Sequence, residues 1–405
     1  MAKRLQVQET GPAAGSPALS NKDILGCLVE FVPKKQFLFF APVSRTWKAA
    51  WAPRSPRTSF VTRDSSIAQL RHAFEGGLPP DPIAMCCSLA RFGKLGPLQY
   101  AREKGCPWHF VVSEDAARGG HLDVLQWARQ DGCPWDERTC SAAAAGGHLD
   151  ILTWARENGC SWDRRTCEAA ARGGHLEVLQ WAKTMGCSWN RFTCAEAAGR
   201  GHLATLQWAR RNGCPWGDDT CRSAATSGNL SVLQWARQNG CPWSASICTE
   251  AATQGHLATL QWARERGCLW DASTCSGAAS NGHLLVLQWA RENGCPWCSA
   301  TCVEAAKAGH LTILQWARLN GCPWDSFVCA LAAAGGNLGI LQWARQNGCP
   351  WNETTCMYAA TGGHLAILQW ARQNGCPWDR EECLAKATRW RNPRVASWIK
   401  DSTSR

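Results

Sequence analysis

From about residue 82 to residue 378 the chain alternates two short patterns. One is rich in alanine; the other places apolar residues three and four apart. In Asp136 to Trp162 the first reads Asp136-Glu-Arg-Thr-Cys140-Ser-Ala-Ala-Ala-Ala145. The second, after a glycine pair, reads His148-Leu149-Asp-Ile-Leu152-Thr-Trp154-Ala155-Arg156-Glu-Asn158, and Gly159-Cys160-Ser-Trp162 closes the unit. Helical spacing of Leu149, Leu152 and the Trp154-Ala155 pair predicts an amphipathic helix over 148–158. The alanine stretch predicts a shorter helix ending at Gly146-Gly147, where glycine accepts the geometry of a tight turn. Neither helix is long enough to hold alone in water, so each must bury its apolar face against neighbours.

The pattern has a fixed period. The closing tryptophan recurs at Trp108, Trp135, Trp162, Trp189, Trp216, Trp243, Trp270, Trp297, Trp324, Trp351 and Trp378, at every twenty-seventh position without a slip. Eleven units therefore fill residues 82–378, and they account for most of the 25 Trp and 25 Cys. From Trp135 on, the residue after each tryptophan is Asp136, Asp163, Asn190, Gly217, Ser244, Asp271, Cys298, Asp325, Asn352 or Asp379, and all but Cys298 are good helix N-caps. Arg129, Arg156, Arg210, Arg237, Arg264, Arg291, Arg318, Arg345 and Arg372 fall in the last turn of the second helix, where the dipole favours a cation. Capping explains that row without invoking recognition.

With these residues in view, the unit resembles an ankyrin repeat. The likeness rests on Ala143-Ala144, then Gly147-His148-Leu149, Ile151-Leu152 and Gly159, in the order of that family's two-helix core. It departs in its length, twenty-seven positions where ankyrin repeats have about 33. The shortfall lies after Gly159, where Cys-Pro-Trp replaces the ankyrin finger. The resemblance implies an all-α, helical-repeat solenoid of about eleven units with caps, and a protein partner on its surface. Residues 19–63 are similar to an F-box, through Ile24, Leu25, Leu28, Pro33, Phe37, Leu38, Val43 and Trp47. That similarity implies a small helical module that docks a Skp1-type adaptor of a cullin ubiquitin ligase. The family's opening Leu-Pro is missing, and the alternative is a helical cap for the array. The expected partition is a disordered 1–18, the F-box-like 19–63, a linker or cap helix over 64–81, the repeats over 82–378, a capping repeat over 379–400 and a tail at 401–405.

The formal charge of +11 sits at the ends of the chain. Residues 1–63 are net +7 and 379–405 net +3, while 64–378 are net +1. A near-neutral array gives a phosphate backbone no continuous basic track, so nucleic acid is not the expected partner. The first twenty residues lack an apolar signal core and no window suits a membrane span, which places the chain in the cytoplasm or nucleus with its thiols reduced. Cysteine gaps alternate between seven and twenty positions, as from Cys133 to Cys140 to Cys160. Structural zinc sites use closer pairs, so the thiols read as small buried hydrophobes, with no metal and no cofactor expected. His121, His148, His175, His202, His256, His283, His310 and His364 repeat at one position, with Asn229 and Asn337 standing in twice. Eight equivalent histidines suit turn hydrogen bonding better than a single catalytic centre, and no enzymatic activity is expected. The two tryptophan rows read as core packing.

Variation among the units marks the expected binding surface. The positions flanking the Thr-Cys pair and those before Gly-His change freely, while the alanine pair between them stays constant. They include Arg164, Arg165, Arg191, Phe192, Asp218, Asp219, Arg222, Glu250, Phe327, Met357 and Tyr358. The expected function is capture of a protein partner by this face, with the head presenting it to a ubiquitin ligase. The alternative is a plain scaffold without that output.

Overall fold

The computed structural model describes residues 81–402, together with Ile67, Leu70 and Phe74. The described residues hold 24 short helices and no strand. They follow one another as a first and a second helix per unit, for example Arg164–Gly173 with Leu176–Thr184, and Arg191–Gly199 with Leu203–Arg211. The series opens with Pro82–Arg91 and Leu95–Glu103 and closes with Arg380–Arg389 and Pro393–Asp401. Two compact groupings appear. One reaches to Ala143 and takes in Asp150–Ser161; the other takes Ala144–Leu149 and continues from Trp162.

Local chemistry sets the helix ends much as the residues suggest. The Asp163, Asn190, Asp271, Asp325 and Asn352 side chains each accept a hydrogen bond from the backbone N–H two residues on. Ser244 does not follow them. Its hydroxyl pairs with Ser246 Oγ at 2.8 Å, and the first helix of that unit starts only at Ser246. Gly217 has no side chain to cap with, and Asp218 and Asp219 in the first turn offset this by placing negative charge at the dipole's positive end. The second helix begins one residue later than its pattern implies, at Leu149 and its equivalents; the histidine position is the non-helical N-cap, as at His202 with φ −81° and ψ 71°, and its side chain is used elsewhere.

That use is the bond between successive units. His202 Nε2 donates to the carbonyl of Arg172, 30 residues earlier, at 3.1 Å, and His121, His175, His256 and His364 reach back in the same way. Those carbonyls belong to the end of the preceding first helix and would otherwise lack a partner. Histidine thus serves the neighbouring unit as well as its own turn. Asn229 does the same work with one amide, which donates to the carbonyls of Ala198 and Gly199 at 3.1 Å. Asn337 and, in the last unit, Asn392 repeat it. The exchange of His for Asn is therefore conservative in function.

Close approach of the first helices requires small residues. Ala197 and Ala198 are fully buried, as are Ala224 and Ala225 in the next unit. Behind them Leu206 and Leu233 fill the space between the first and second helices. Buried threonines such as Thr193 occupy this layer too, and the Thr193 hydroxyl has no hydrogen-bond partner. Val112, Ile247 and Val328 hold the equivalent place in other units and are equally buried.

Two kinds of glycine can be told apart by experiment. Gly174 has φ of +73° and a Cβ there would lie 2.5 Å from His202 Nδ1, whereas Gly213 has φ of +81° with nothing within 4 Å. Gly213→Ala is expected to cost about 1–2 kcal/mol for the left-handed backbone alone. Gly174→Ala is expected to cost clearly more, because it also pushes His202 off the Arg172 carbonyl. Urea unfolding midpoints compare the two, and equal losses would mean that the ring simply moves aside. Thr193→Val, which removes an unpaired buried hydroxyl, is expected to leave the midpoint unchanged or raise it.

Candidate interaction surface

The first-helix positions that vary among units stand at one register. Each N-cap is followed by two residues at the helix mouth: Arg164 and Arg165 after Asp163, Arg191 and Phe192 after Asn190, Asp218 and Asp219 after Gly217. The three arginine side chains are about 60% exposed. Phe192 is 45% exposed and Phe327, at the same register, 53%. Arg191 lies with its guanidinium 5.2 Å from the Phe192 ring centre and its Nε 3.2 Å from Asp219 Oδ2. Arg172 in turn grips Glu196 of the next unit through two nitrogens, at 2.8 and 2.7 Å, which holds the Glu196 carboxyl below its usual range. Arg164 Nε stands 3.7 Å from Glu168 and Arg165 Nε 3.9 Å from Asp163, too far for hydrogen bonds.

Several expected surface residues are not free surface. Asp219 is buried, because Gly217 beside it has no side chain and leaves the carboxylate room to fold inward. Glu250 is half-buried, with Oε2 3.4 Å from Thr226 Oγ1 of the preceding unit. Met357 and Tyr358 are also half-buried. Arg222 and Asp218 are exposed as expected. Ile24, Leu25, Leu28, Pro33, Phe37, Leu38, Val43 and Trp47 lie outside the described residues.

The tryptophan rows pack, but at the partly exposed edge of the units and not in the fully buried core. The two rows meet edge to face, as in Trp216 with Trp235, centres 5.7 Å apart at 63°. The last-turn arginine lies over the linking tryptophan, with Arg210 4.2 Å from the Trp216 ring centre and Arg237 4.4 Å from Trp243. The same arginine donates through Nη1 to the carbonyl of the cysteine four residues on, Cys214 for Arg210. The arginine row is thus spent on structure, through a carbonyl of the link beyond the helix end and a cation–π contact that spacing did not reveal. Shallow clefts of about 430 Å³ open beside these stacks, one lined by Gln126, Arg129, Trp135, Trp154 and Asn158, and one by the same positions eight units later. Their ring faces are already engaged by arginine and by the second indole, so the clefts are by-products of a repeated clamp.

The thiols pair, which was not anticipated. Cys167 in a first helix hydrogen-bonds to Cys187 in the link of its own unit, and Cys187 Sγ is 3.3 Å from the carbonyl of Asp163. As the donor, Cys167 is pushed well above the ordinary thiol range, and Cys187 is lowered by the same bond. Ser113 occupies the first-helix slot once, its hydroxyl 3.3 Å from Cys133 Sγ. The longer of the two constant cysteine gaps was the available signal, and only stacking of the link under the first helix gives it meaning. Elsewhere burial is the main reason that Cys86, Cys87 and Cys383 are pushed up to about 12. Among the described residues no group of three or more His, Cys, Asp or Glu is placed to hold a metal ion, and no helix is long and apolar enough to cross a membrane.

No protein-family model matches the chain. No curated protein matches it either. Among solved structures it is similar to the crystal structure of the human ASB11 ankyrin repeat domain, with a TM-score of 0.33 and 17% identity over 39% of this chain and 84% of that one.

Thiol accessibility offers a direct check on this packing. Of the described cysteines only Cys298, at a helix N-cap, is exposed. Under native conditions Cys298→Ser is expected to remove one rapidly labelled thiol, while Cys167→Ser or Cys194→Ser changes only the slow phase. Several fast thiols within 81–402, mapped by mass spectrometry of labelled peptides, would show that the pairs are open to solvent.

Proposed function

We propose that the array is an ankyrin-type recognition module that binds a protein partner across its first-helix face. The observation that carries this reading is the separation of variable from constant positions. Residues that differ between units, among them Arg165, Arg191, Phe192, Arg222 and Phe327, stand exposed at the mouths and flanks of the first helices. The positions that do not differ are consumed in alanine contacts, histidine bonds and tryptophan–arginine stacks. A partner seated on such a face can be selected by its sequence without disturbing the stack. Exposed aromatic rings beside arginines are also the residue types that dominate binding energy at protein interfaces. Catalysis draws no support from this arrangement, since most of the repeated histidines bond the neighbouring unit and the described thiols other than Cys298 are buried.

The F-box-like segment at 19–63 supplies an output for this capture. By its resemblance it docks a Skp1-type adaptor, so that a protein held on the array is presented to a cullin ubiquitin ligase. Support for that step is the pattern of Ile24, Leu25, Leu28, Pro33, Phe37, Leu38, Val43 and Trp47 alone.

Two measurements test these steps separately. A photo-crosslinking residue in place of Phe192 or Phe327 is expected to give partner adducts, and one in place of Leu285 or Leu319, which are exposed on second helices, none. Adducts from the second-helix positions alone would overturn the assignment of the face. For the head, a purified Skp1-type adaptor is expected to bind the full chain and to lose binding on Val43→Ala with Trp47→Ala. Absence of binding to the intact chain would leave a scaffold without a ligase role.

A further inference from the structure

Exposed arginines gather at the mouths of neighbouring first helices. Arg164, Arg165 and Arg191 occupy the first two positions of consecutive first helices. The helix dipole disfavours cations there, as opposed to the last turns, where Arg210 and Arg237 obey it. Residues held against a local preference mark places where something other than folding sets the sequence. The acids around these arginines are less exposed than the arginines themselves. Asp219 is 7% exposed, Glu168 17%, Glu196 31% and Asp163, whose carboxylate caps its own helix, 41%, against about 60% for the arginines. Asp219 engages Arg191 at Nε and its oxygens accept no hydrogen bond, so the two η nitrogens of Arg191 keep their donors for another group. The guanidinium is nonetheless fixed in place, by the buried carboxylate behind it and by the Phe192 ring beneath it. Fixing a donor before binding lowers the entropy cost of using it. Arg222 adds an exposed cation in the second turn of the following first helix. The positive stretch then ends: Asp218 is exposed, and later units present Ser246, Ser273 and Ala300 at the register of Arg165 and Phe192.

We propose that this patch, Arg164, Arg165, Arg191, Phe192 and Arg222, receives an acidic polypeptide segment that carries an apolar side chain. Its carboxylates pair with the outward nitrogens of Arg165 and Arg191, where the fork of the guanidinium accepts a carboxylate through two donors. Its apolar side chain covers the exposed part of Phe192. A nucleic acid fits less well, because the exposed Asp218 interrupts the basic surface and residues 64–378 are net +1, so a continuous phosphate backbone meets no continuous neutralisation. The proposal rests on the first-helix face being the binding face, and narrows it to one set of units and one partner chemistry.

The test uses the full chain and random dodecapeptides displayed on phage, selected for binding in low salt. Enriched peptides are expected to carry net negative charge and at least one aliphatic or aromatic residue. Binding of the synthesised peptides is expected to weaken at least about tenfold on Arg165→Glu with Arg191→Glu, consistent with loss of a central hot spot. Ser246→Glu with Ser273→Glu, at the same register, should leave it within about twofold, far less than loss of a hot spot. Circular dichroism melting of the charge-reversed chain is compared with the parent, and Arg165→Gln with Arg191→Gln provides a second variant that adds no buried repulsion toward Asp219. Enrichment of basic peptides, no enrichment, or acidic peptides whose binding survives both arginine variants overturns the proposal. So does tighter binding of a single-stranded oligonucleotide that the peptides cannot displace. If enriched peptides respond to Phe327→Ala and not to the arginine variants, the patch is wrong and the face still binds. If they respond to no first-helix substitution, the reading of the face fails with it.

Discussion

Everything else in this structure depends on how one unit holds the next. A histidine or asparagine at the turn gives up its side chain to the last carbonyls of the preceding first helix. The turn glycine makes room for the ring, since any Cβ at Gly174 would occupy the place of His202. A single short element thus closes its own turn, caps its neighbour and fixes the spacing between them. Once that spacing is set, small residues suit the contact between adjacent first helices, and Ala197, Ala198, Ala224 and Ala225 are buried accordingly. Helices of eight to ten residues, which would not persist in water singly, become stable because neighbouring units bury their apolar faces and bond the last carbonyls of first helices.

The short link between units makes a second constraint. With no finger to extend it, the chain after each second helix turns at once through Gly-Cys-Pro-Trp. Its indole is held between the arginine of the same turn and the tryptophan of the following second helix. The cysteine of the link drops beneath the first helix and meets the thiol there, and Ser113 shows that a hydroxyl can take that place. These contacts repeat because the same neighbours repeat, so they leave no freedom for a specific partner. Freedom remains at the mouths of the first helices, where side chains leave the stack. The surface chemistry of the array is written there, in arginines and exposed phenylalanines of a few units.

The period, the two-helix unit and the positions of nearly all helix ends were legible in the residues, because capping and turn chemistry are local and the unit repeats without a slip. The identity of the variable face was legible too, from comparison of the units with one another. Side-chain depth was not. Asp219, Glu250, Met357 and Tyr358 read as surface, yet Asp219 folds under the space left at Gly217, Glu250 meets Thr226 of the preceding unit, and Met357 and Tyr358 are half-buried. Tryptophan read as core packing, and it does pack, but at the partly exposed edge of the stack, against arginine and a second indole.

By itself, then, the sequence determined what each unit is: which residues coil, where they stop and which positions must be the same every time. Those properties depend on neighbours within a turn or two, and a short unit repeated without a slip displays them many times over. Only the tertiary structure decided what touches across units and across the unit's own length. The bond from His202 back to Arg172, the pairing of Cys167 with Cys187 and the inward turn of Asp219 arise from stacking. Stacking brings together groups that no local spacing relates, and it decides which of two equally polar side chains keeps its water.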